Sequence, residues 1–234
     1  MTNGWPSALF ELLFPRTCAI CKVQLVAGEE AICIQCLLDL PQTGFHRSVA
    51  DNPLQRQFKG RIPVGPVVAC YYYFQGGKVQ TLLKELKYRG NQEAATALGR
   101  LYARNLFELP YFSACDVIVP VPLHASKFRK RGYNQAEVFA LGLASGLGLP
   151  VDNKSLVRVK RGSSQTVKDR SERYSELQDQ FGLSPLEDWT GLRIILVDDV
   201  ITSGATIETC ARLFLDRGAA VCAVAIAWTS GGYG

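Results

Sequence analysis

Apolar positions along this chain alternate between short β-branched runs and longer segments with helical spacing. The short runs predict buried strands, and the longer segments, apolar at every third or fourth position, predict amphipathic helices. In chain order, the predicted strands are 67–74, 116–119, 156–159, 193–198 and 220–228, and the predicted helices are 79–87, 93–107, 136–147, 171–180 and 205–217. This alternation predicts an α/β fold with a parallel sheet, in which ligands bind where the strands end.

The composition is typical of a protein with a sizeable core, since 47% of the residues are hydrophobic and 20% are charged. No uninterrupted apolar run approaches the length needed to span a bilayer, so we expect no membrane insertion. The stretch 5–14 is apolar but short, and no basic residue precedes it, which disfavours a signal peptide. We therefore expect a cytoplasmic protein.

Four of the eight cysteines fall in a C-x2-C-x11-C-x2-C pattern near the start of the chain, namely Cys18, Cys21, Cys33 and Cys36. Two such pairs predict a tetrahedral structural Zn²⁺ site made of thiolates, with two disulfides or an iron–sulfur cluster as alternatives. A unit of this size cannot fold on an apolar core alone. We predict a four-cysteine zinc-binding module at 1–40, a linker rich in proline, glycine and polar residues at 41–66, and a larger domain at 67–234. The other four cysteines are predicted to be small core residues.

The strand predicted at 193–198 ends in Asp198 and Asp199, and a loop of small, mostly hydroxylated residues leads from it into a helix. The first N–H groups of a helix have no partner within the helix, and the helix dipole favours an anion there. Paired carboxylates suit the vicinal hydroxyls of a sugar or the water around Mg²⁺. Together these features predict a phosphorylated pentose as ligand. The alternative is a buried strand with an acidic end, followed by an ordinary capped helix.

A second loop, 120–124, follows the strand predicted at 116–119 and should lie at the same edge of the sheet. Its prolines fix the backbone and shape a turn whose free N–H groups can meet an anion. Four cations come next in the sequence, Lys127, Arg129, Lys130 and Arg131, in a chain of formal net charge +5. They suit phosphates of a small ligand or of a nucleic-acid backbone. A proline-rich connection with an exposed basic tail is the alternative.

The segment 194–206 resembles the motif with which type I phosphoribosyltransferases bind 5-phosphoribosyl 1-pyrophosphate (PRPP). The resemblance implies that PRPP is bound together with Mg²⁺, the acids facing the ribose hydroxyls and the loop holding the 5-phosphate. It assigns PRPP binding to Asp198, Asp199, Thr202, Ser203, Gly204, Ala205 and Thr206, and pyrophosphate binding to Val121, Pro122 and Leu123. It also implies a mobile lid whose cations are Lys160, Arg161, Lys168 and Arg170, with a plain surface loop as the alternative.

The sequence Arg131-Gly-Tyr-Asn-Gln135 narrows the resemblance to the ComF family, also called ComFC or GntX-like. The likeness extends over nearly the whole chain, through the cysteine module, Lys87-Tyr-Arg-Gly90 and Ser164-Gln-Thr166. The chain departs from the family at Lys168 and Glu176, where leucine and asparagine are common. The resemblance implies a type I phosphoribosyltransferase fold with an N-terminal zinc module, and a role in DNA uptake during natural transformation.

Three functions stay open at this point. The protein is a phosphoribosyltransferase with an unidentified acceptor, a DNA-uptake factor that binds single-stranded DNA or a partner ATPase, or a PRPP-sensing regulator without transferase activity. The sequence identifies neither an acceptor pocket nor a catalytic residue. The basic runs at 127–131 and 154–173 are predicted to form one positive face, with Tyr133 and Tyr174 as stacking faces for unpaired bases.

Overall fold

The computed structural model describes residues 15–88, 90–159, 180–184 and 188–229. The strands are β1 (Val67–Tyr72), β2 (Val117–Pro120), β3 (Leu156–Arg158), β4 (Phe181–Leu183), β5 (Arg193–Ile201) and β6 (Ala220–Trp228). The helices are α1 (Ile34–Asp39), α2 (Pro53–Arg56), α3 (Lys78–Tyr88), α4 (Gln92–Phe107), α5 (Pro110–Ser113), α6 (Ala125–Arg131), α7 (Gln135–Leu147) and α8 (Ala205–Leu215), with a 3-10 helix at Phe45–Arg47. The helix predicted at 171–180 lies outside the described residues. In the described ranges, no helix combines the length and the apolarity that a bilayer crossing requires.

Four strands form one parallel sheet in the order β1-β6-β5-β2. Its two inner strands, β5 and β6, carry the long apolar runs of the sequence, and these runs are buried. The predicted α/β fold with a parallel sheet is confirmed. Since all four strands run in one direction, they share a carboxyl edge, and the loops after β2 and β5 lie side by side there.

Helices cover the sheet closely. Where α4 crosses α7, a Cβ added to Gly99 would lie 2.4 Å from the Phe139 carbonyl oxygen, and one added to Gly142 would lie 2.2 Å from that of Thr96. The two backbones can approach this closely only because glycine occupies both positions. Helix α8 packs through Ile207, Phe214 and their neighbours. The four cysteines outside the first module are buried, as predicted.

Strands β3 and β4 form a separate two-stranded antiparallel ribbon, in which Arg158 pairs with Phe181. The strand predicted at 156–159 therefore exists but does not join the parallel sheet, contrary to what the alternation of elements suggests. The partner strand β4 is only three residues long, too short for its period to be recognised in the sequence. This ribbon brackets the segment 160–179.

The segment 41–66, predicted as a linker, is packed into the structure. Leu54 and Phe58 are fully buried. The Asn52 side chain accepts a hydrogen bond from the Gln55 N–H at 2.8 Å, capping α2, and donates one to the Val67 carbonyl at 3.2 Å. These contacts join the segment to the first strand of the sheet. The division of the chain at residues 40 and 66 stays a prediction.

Candidate functional site

The acid pair lies near the carboxyl end of β5. The strand continues to Ile201, three residues beyond the predicted end, because β6 still offers pairing partners at that level. Neighbouring side chains of a strand point to opposite faces. Asp199 meets α3, where the Lys87 ammonium lies 2.8 Å from its Oδ2, and the Asp198 Oδ1 accepts a hydrogen bond from the Asp199 N–H at 2.8 Å. Lys87 is thus a member of the site that the motif alone did not reveal.

Part of Asp198 is open to the cleft, but its carboxyl lies deep among packed atoms. Burial raises the pKa of Asp198 from its ordinary 3.8 to about 8, and repulsion from Asp199 acts in the same direction. The nearby Lys87 charge opposes the rise without cancelling it. Without a cation or hydroxyl ligand, the two carboxyls therefore do not both ionise at neutral pH.

This shift predicts a pH-dependent stability of the free protein. Between pH 4 and pH 8 the folded state keeps a proton on Asp198 that the unfolded state releases, so unfolding free energy falls as pH rises, by up to about 1.4 kcal/mol per unit. Asp198→Asn removes this dependence. We expect the Tm of the variant minus that of the wild type to grow as pH rises towards 8 and to level off above it.

Differential scanning calorimetry across this range measures the effect. The matched control is Asp216→Asn, which changes an exposed carboxylate after the far end of α8 and should give a Tm difference that does not follow pH. A pH-independent difference for Asp198→Asn as well would contradict a proton held at this carboxyl.

The loop after β5 leads directly into α8. Gly204 stands at the N-cap with φ +77°, a left-handed conformation, and provides no side-chain cap. The Ala205 N–H donates to the Ser203 hydroxyl at 3.4 Å. One small cleft is lined by Asp198 and by every residue from Val200 to Ile207. The structure therefore brings the predicted phosphate loop and Asp198 of the predicted acid pair together around one space that an anion at a helix N-terminus can fill.

Residues of the segment 41–66 support this loop from behind. A Cβ on Gly204 would lie 2.7 Å from the Phe58 ring, so the ring fixes how the loop turns. The Arg61 guanidinium donates to the Ser203 carbonyl at 3.2 Å and forms an ion pair with Glu208. Glu208 is buried in the first turn of α8 and also binds Arg212 at 2.7 Å. No local sequence signal identifies Phe58 or Arg61, because both act across about 140 residues of chain.

The second predicted loop lies beside the first. The Val121 N–H donates to the Val197 carbonyl at 2.8 Å, which continues the pairing of β2 with β5. The Asn134 side chain donates to the Val121 carbonyl at 2.9 Å and holds the loop against the start of α7. Pro122 and Leu123, the next predicted pyrophosphate-binding residues, are half-buried. Their loop thus adjoins the acid pair, one strand away.

The basic residues after this loop form a helix rather than a tail. Lys127, Arg129 and Lys130 are exposed on α6, and Arg131, half-buried, ends it. His124 caps the helix by accepting a hydrogen bond from the Ser126 N–H at 3.2 Å. The lid cations Lys160, Arg161, Lys168 and Arg170 and the departure at Glu176 lie outside the described residues, as does Tyr174. The single positive face predicted from both basic runs accordingly stays a prediction.

The prediction of a stacking role for Tyr133 is wrong, because this side chain is buried. Its hydroxyl donates to the Leu86 carbonyl, and the Gln135 amide donates to the same oxygen at 3.4 Å. Arg131 in turn donates to the Gln135 Oε1 at 2.7 Å. The segment 131–135 thus binds the last turn of α3, which carries Lys87.

The β3–β4 ribbon places one cation, Arg158, near the base of the site. The Arg158 guanidinium lies 5.0 Å from the centre of the Phe181 ring. Burial lowers the pKa of Arg158, while attraction to the Cys210 thiol and the Asp198 carboxyl opposes that change. The β3–β4 ribbon therefore lies within the range over which a charge on Asp198 acts on Arg158.

The four cysteines of the first module form one cluster. Their sulfurs lie within 4.8 Å of one another, and those of Cys21 and Cys33 are 3.6 Å apart. Four sulfurs at about 2.3 Å from a tetrahedral ion stand about 3.8 Å apart, so the cluster has the dimensions of a metal site. The Glu29 carboxylate supports it by accepting hydrogen bonds from the Val26 and Ile34 N–H groups at 2.9 and 2.8 Å.

The pKa values of these thiols are consistent with a bound cation. Burial alone would raise the pKa of Cys18, but backbone N–H donors, including Ile20 and Cys33 at 3.4 Å, lower it to about 6. Burial and the neighbouring thiols raise the pKa of Cys36. Four thiolates cannot share so small a volume unless a cation compensates their charge, and the donor set of four sulfurs fits Zn²⁺.

Comparison with known proteins identifies the family. Residues 133–233 match the family model described as "Phosphoribosyl transferase domain". The chain is 30% identical over 223 residues to "DNA utilization protein YhgH" of Salmonella typhi, covering 89% of this chain and 95% of the relative. It is 30% identical to "Competence protein ComFC" of Bacillus subtilis, over 63% of this chain and 58% of the relative, and 34% identical to "Competence protein F" of Haemophilus influenzae, over 44% and 45%. This chain belongs to the ComF family.

In this ComF protein, the range matched by the family model holds β5, the phosphate loop and α8. Lys87, Phe58, Arg61 and the cysteine cluster lie outside that range. The elements that buttress the site are therefore contributed by parts of the chain beyond the phosphoribosyl transferase match.

Proposed function

We propose that this ComF protein binds PRPP together with Mg²⁺ and acts in the handling of DNA. The observation that carries the proposal is the arrangement at the end of β5, where Asp198, a glycine-turned loop and a helix N-terminus line one cleft and Asp199 is the next residue of the strand. The names of its relatives, which refer to DNA utilization and to competence, support the second part of the proposal.

Each part of PRPP has residues suited to it. The carboxyls of Asp198 and Asp199 accept hydrogen bonds from the ribose hydroxyls, and the backbone N–H groups of 202–206 hold the 5-phosphate. The turn 121–123 adjoins the pyrophosphate, with the cations of α6 behind it. Mg²⁺, when bound, neutralises the charge of the diphosphate. The Lys87 ammonium, 2.8 Å from the Asp199 Oδ2, orients this carboxylate until the ligand arrives.

The same proposal assigns structural Zn²⁺ to Cys18, Cys21, Cys33 and Cys36. It places the protein in the cytoplasm, where thiols stay reduced. Single-stranded DNA and a DNA-uptake ATPase are the proposed macromolecular partners. The exposed cations on α6 support the first of them, because charge of this sign attracts a phosphate backbone.

Calorimetric titration of the zinc-loaded protein with PRPP, with and without Mg²⁺, tests the PRPP site. We expect saturable binding that requires Mg²⁺, and ribose 5-phosphate should compete because it keeps the sugar and the 5-phosphate. An absence of heat at any PRPP concentration would overturn the proposal. Release of pyrophosphate in the same mixtures then separates a transferase from a PRPP-sensing regulator, since only transfer or hydrolysis breaks the bond to C1.

A further inference from the structure

An exposed aromatic ring lies at the end of α3, one residue after the lysine that contacts the acid pair. Tyr88 is the last residue of α3, and 64% of its surface is exposed. The preceding residue, Lys87, contacts Asp199 at 2.8 Å. A single exposed ring is ordinary by itself, so a role for Tyr88 depends on the charged groups that surround it.

Two cations of α6 lie against this ring. The Lys130 ammonium is 5.8 Å, and the Arg131 guanidinium carbon 5.7 Å, from the ring centre. Arg131 is also oriented by its hydrogen bond to the Gln135 Oε1. An aromatic ring with two cations over it combines the two kinds of group that bind single-stranded nucleic acids, since bases stack on aromatic rings and phosphates contact cations.

The backbone next to the ring is anchored. The Leu86 carbonyl, two residues before it, accepts hydrogen bonds from both the Tyr133 hydroxyl and the Gln135 amide. These side chains fix the end of α3 to the start of α7 and thereby set the position of Tyr88 relative to α6. An anchored backbone lowers the conformational freedom that is lost when a base stacks on the side chain.

We propose that Tyr88, Lys130 and Arg131 form a platform for single-stranded nucleic acid, on which one unpaired base stacks on Tyr88 while its neighbouring phosphates contact the two cations. The platform replaces Tyr133 in the stacking role. It deepens the proposed function, on whose DNA-handling part it rests, because it brings a base to the rim of the PRPP site.

Fluorescence anisotropy with two labelled strands of equal length tests the platform. One is oligothymidylate of about twelve nucleotides, and the other has the same phosphates but abasic sugars. Because stacking is lost only in the second strand, we expect the full-length, zinc-loaded protein to bind the first about tenfold more tightly. Tyr88→Ala should abolish that preference and Tyr88→Phe should retain it.

Two further variants separate stacking from charge. Phe107→Ala removes another exposed aromatic side chain, on α4, and should leave the preference for bases intact. Lys130→Ala should weaken the binding of both oligonucleotides to the same extent. It should also reduce the slope of log affinity against log salt by about 0.7. Any of three results would overturn the proposal: the wild type binds neither oligonucleotide, it binds both equally, or the preference for bases survives Tyr88→Ala.

The PRPP titration of the same wild-type preparation is read separately. A protein that prefers bases but fails to bind PRPP would refute the PRPP site and leave the platform standing. A protein that binds PRPP but shows no preference for bases would refute the platform alone.

Discussion

Replacing Asp198 and Asp199 together by asparagine is expected to weaken the binding of PRPP with Mg²⁺ by at least about a hundredfold, since each carboxylate offers charge-assisted hydrogen bonds that an amide cannot replace. The fold should survive. The asparagine that replaces Asp198 has the size and neutrality of the protonated carboxyl that burial already favours at this position. The Lys87 ammonium loses its partner, but its side chain is 24% exposed, so water can reach it.

Isothermal titration calorimetry with PRPP and Mg²⁺ measures the loss, and circular dichroism checks that the sheet is intact. Asp216→Asn is the matched control, because it makes the same chemical change at an exposed position after α8 and should keep wild-type affinity. Undiminished binding by the doubly substituted protein, with its fold intact, would remove the acid pair from the site and with it the main support for PRPP recognition.

The central part of this site could be predicted from the sequence because its signals are local. The run 193–201 is a buried strand since nearly every apolar residue in it faces protein on both sides of a parallel sheet. The acids lie near the end of this run, and the small residues and Gly204 follow within a few positions, so one short stretch specifies strand, loop and helix start. The CxxC pairs are equally local, and their sulfurs converge as their spacing predicts.

The supports of the site could not be predicted, because they come from distant parts of the chain. Arg61 contacts Ser203 and Glu208, and its sequence surroundings, rich in proline and glycine, indicate only a connection. Tyr133 shows the opposite error. A tyrosine beside four cations suggests a surface ring, but the turn at Gly132 directs it inward to the Leu86 carbonyl. Both side chains contact residues that are distant in the sequence, and a single sequence does not indicate which distant residues will meet.

Removing the metal is expected to unfold the cysteine module while the parallel sheet remains folded. The module packs few large side chains of its own, and its ties to the rest of the protein include ion pairs of Lys22 with Glu85, Asp39 with Lys78, and Glu30 with Arg100. The second and third of these pairs are partly exposed and contribute at most about 1 kcal/mol each, whereas Glu85 of the first pair is buried. Binding of structural zinc to four thiolates contributes on the order of 10 kcal/mol, so the module depends on the ion.

Elemental analysis and hydrogen exchange read by mass spectrometry test this dependence. We expect one zinc per chain in the wild type and none in Cys33→Ser combined with Cys36→Ser, together with rapid exchange throughout 18–40 and unchanged protection in β5 and β6. Cys115→Ser is the control, since this buried thiol contacts Cys222 rather than the cluster and its loss should leave the zinc content at one. Iron in place of zinc, two disulfides in the reduced protein, or a module that stays protected after complete chelation would each contradict a structural zinc site. The last of these outcomes would show that the apolar contacts of Leu25, Ile32 and Leu40 with the shared core suffice to hold the module.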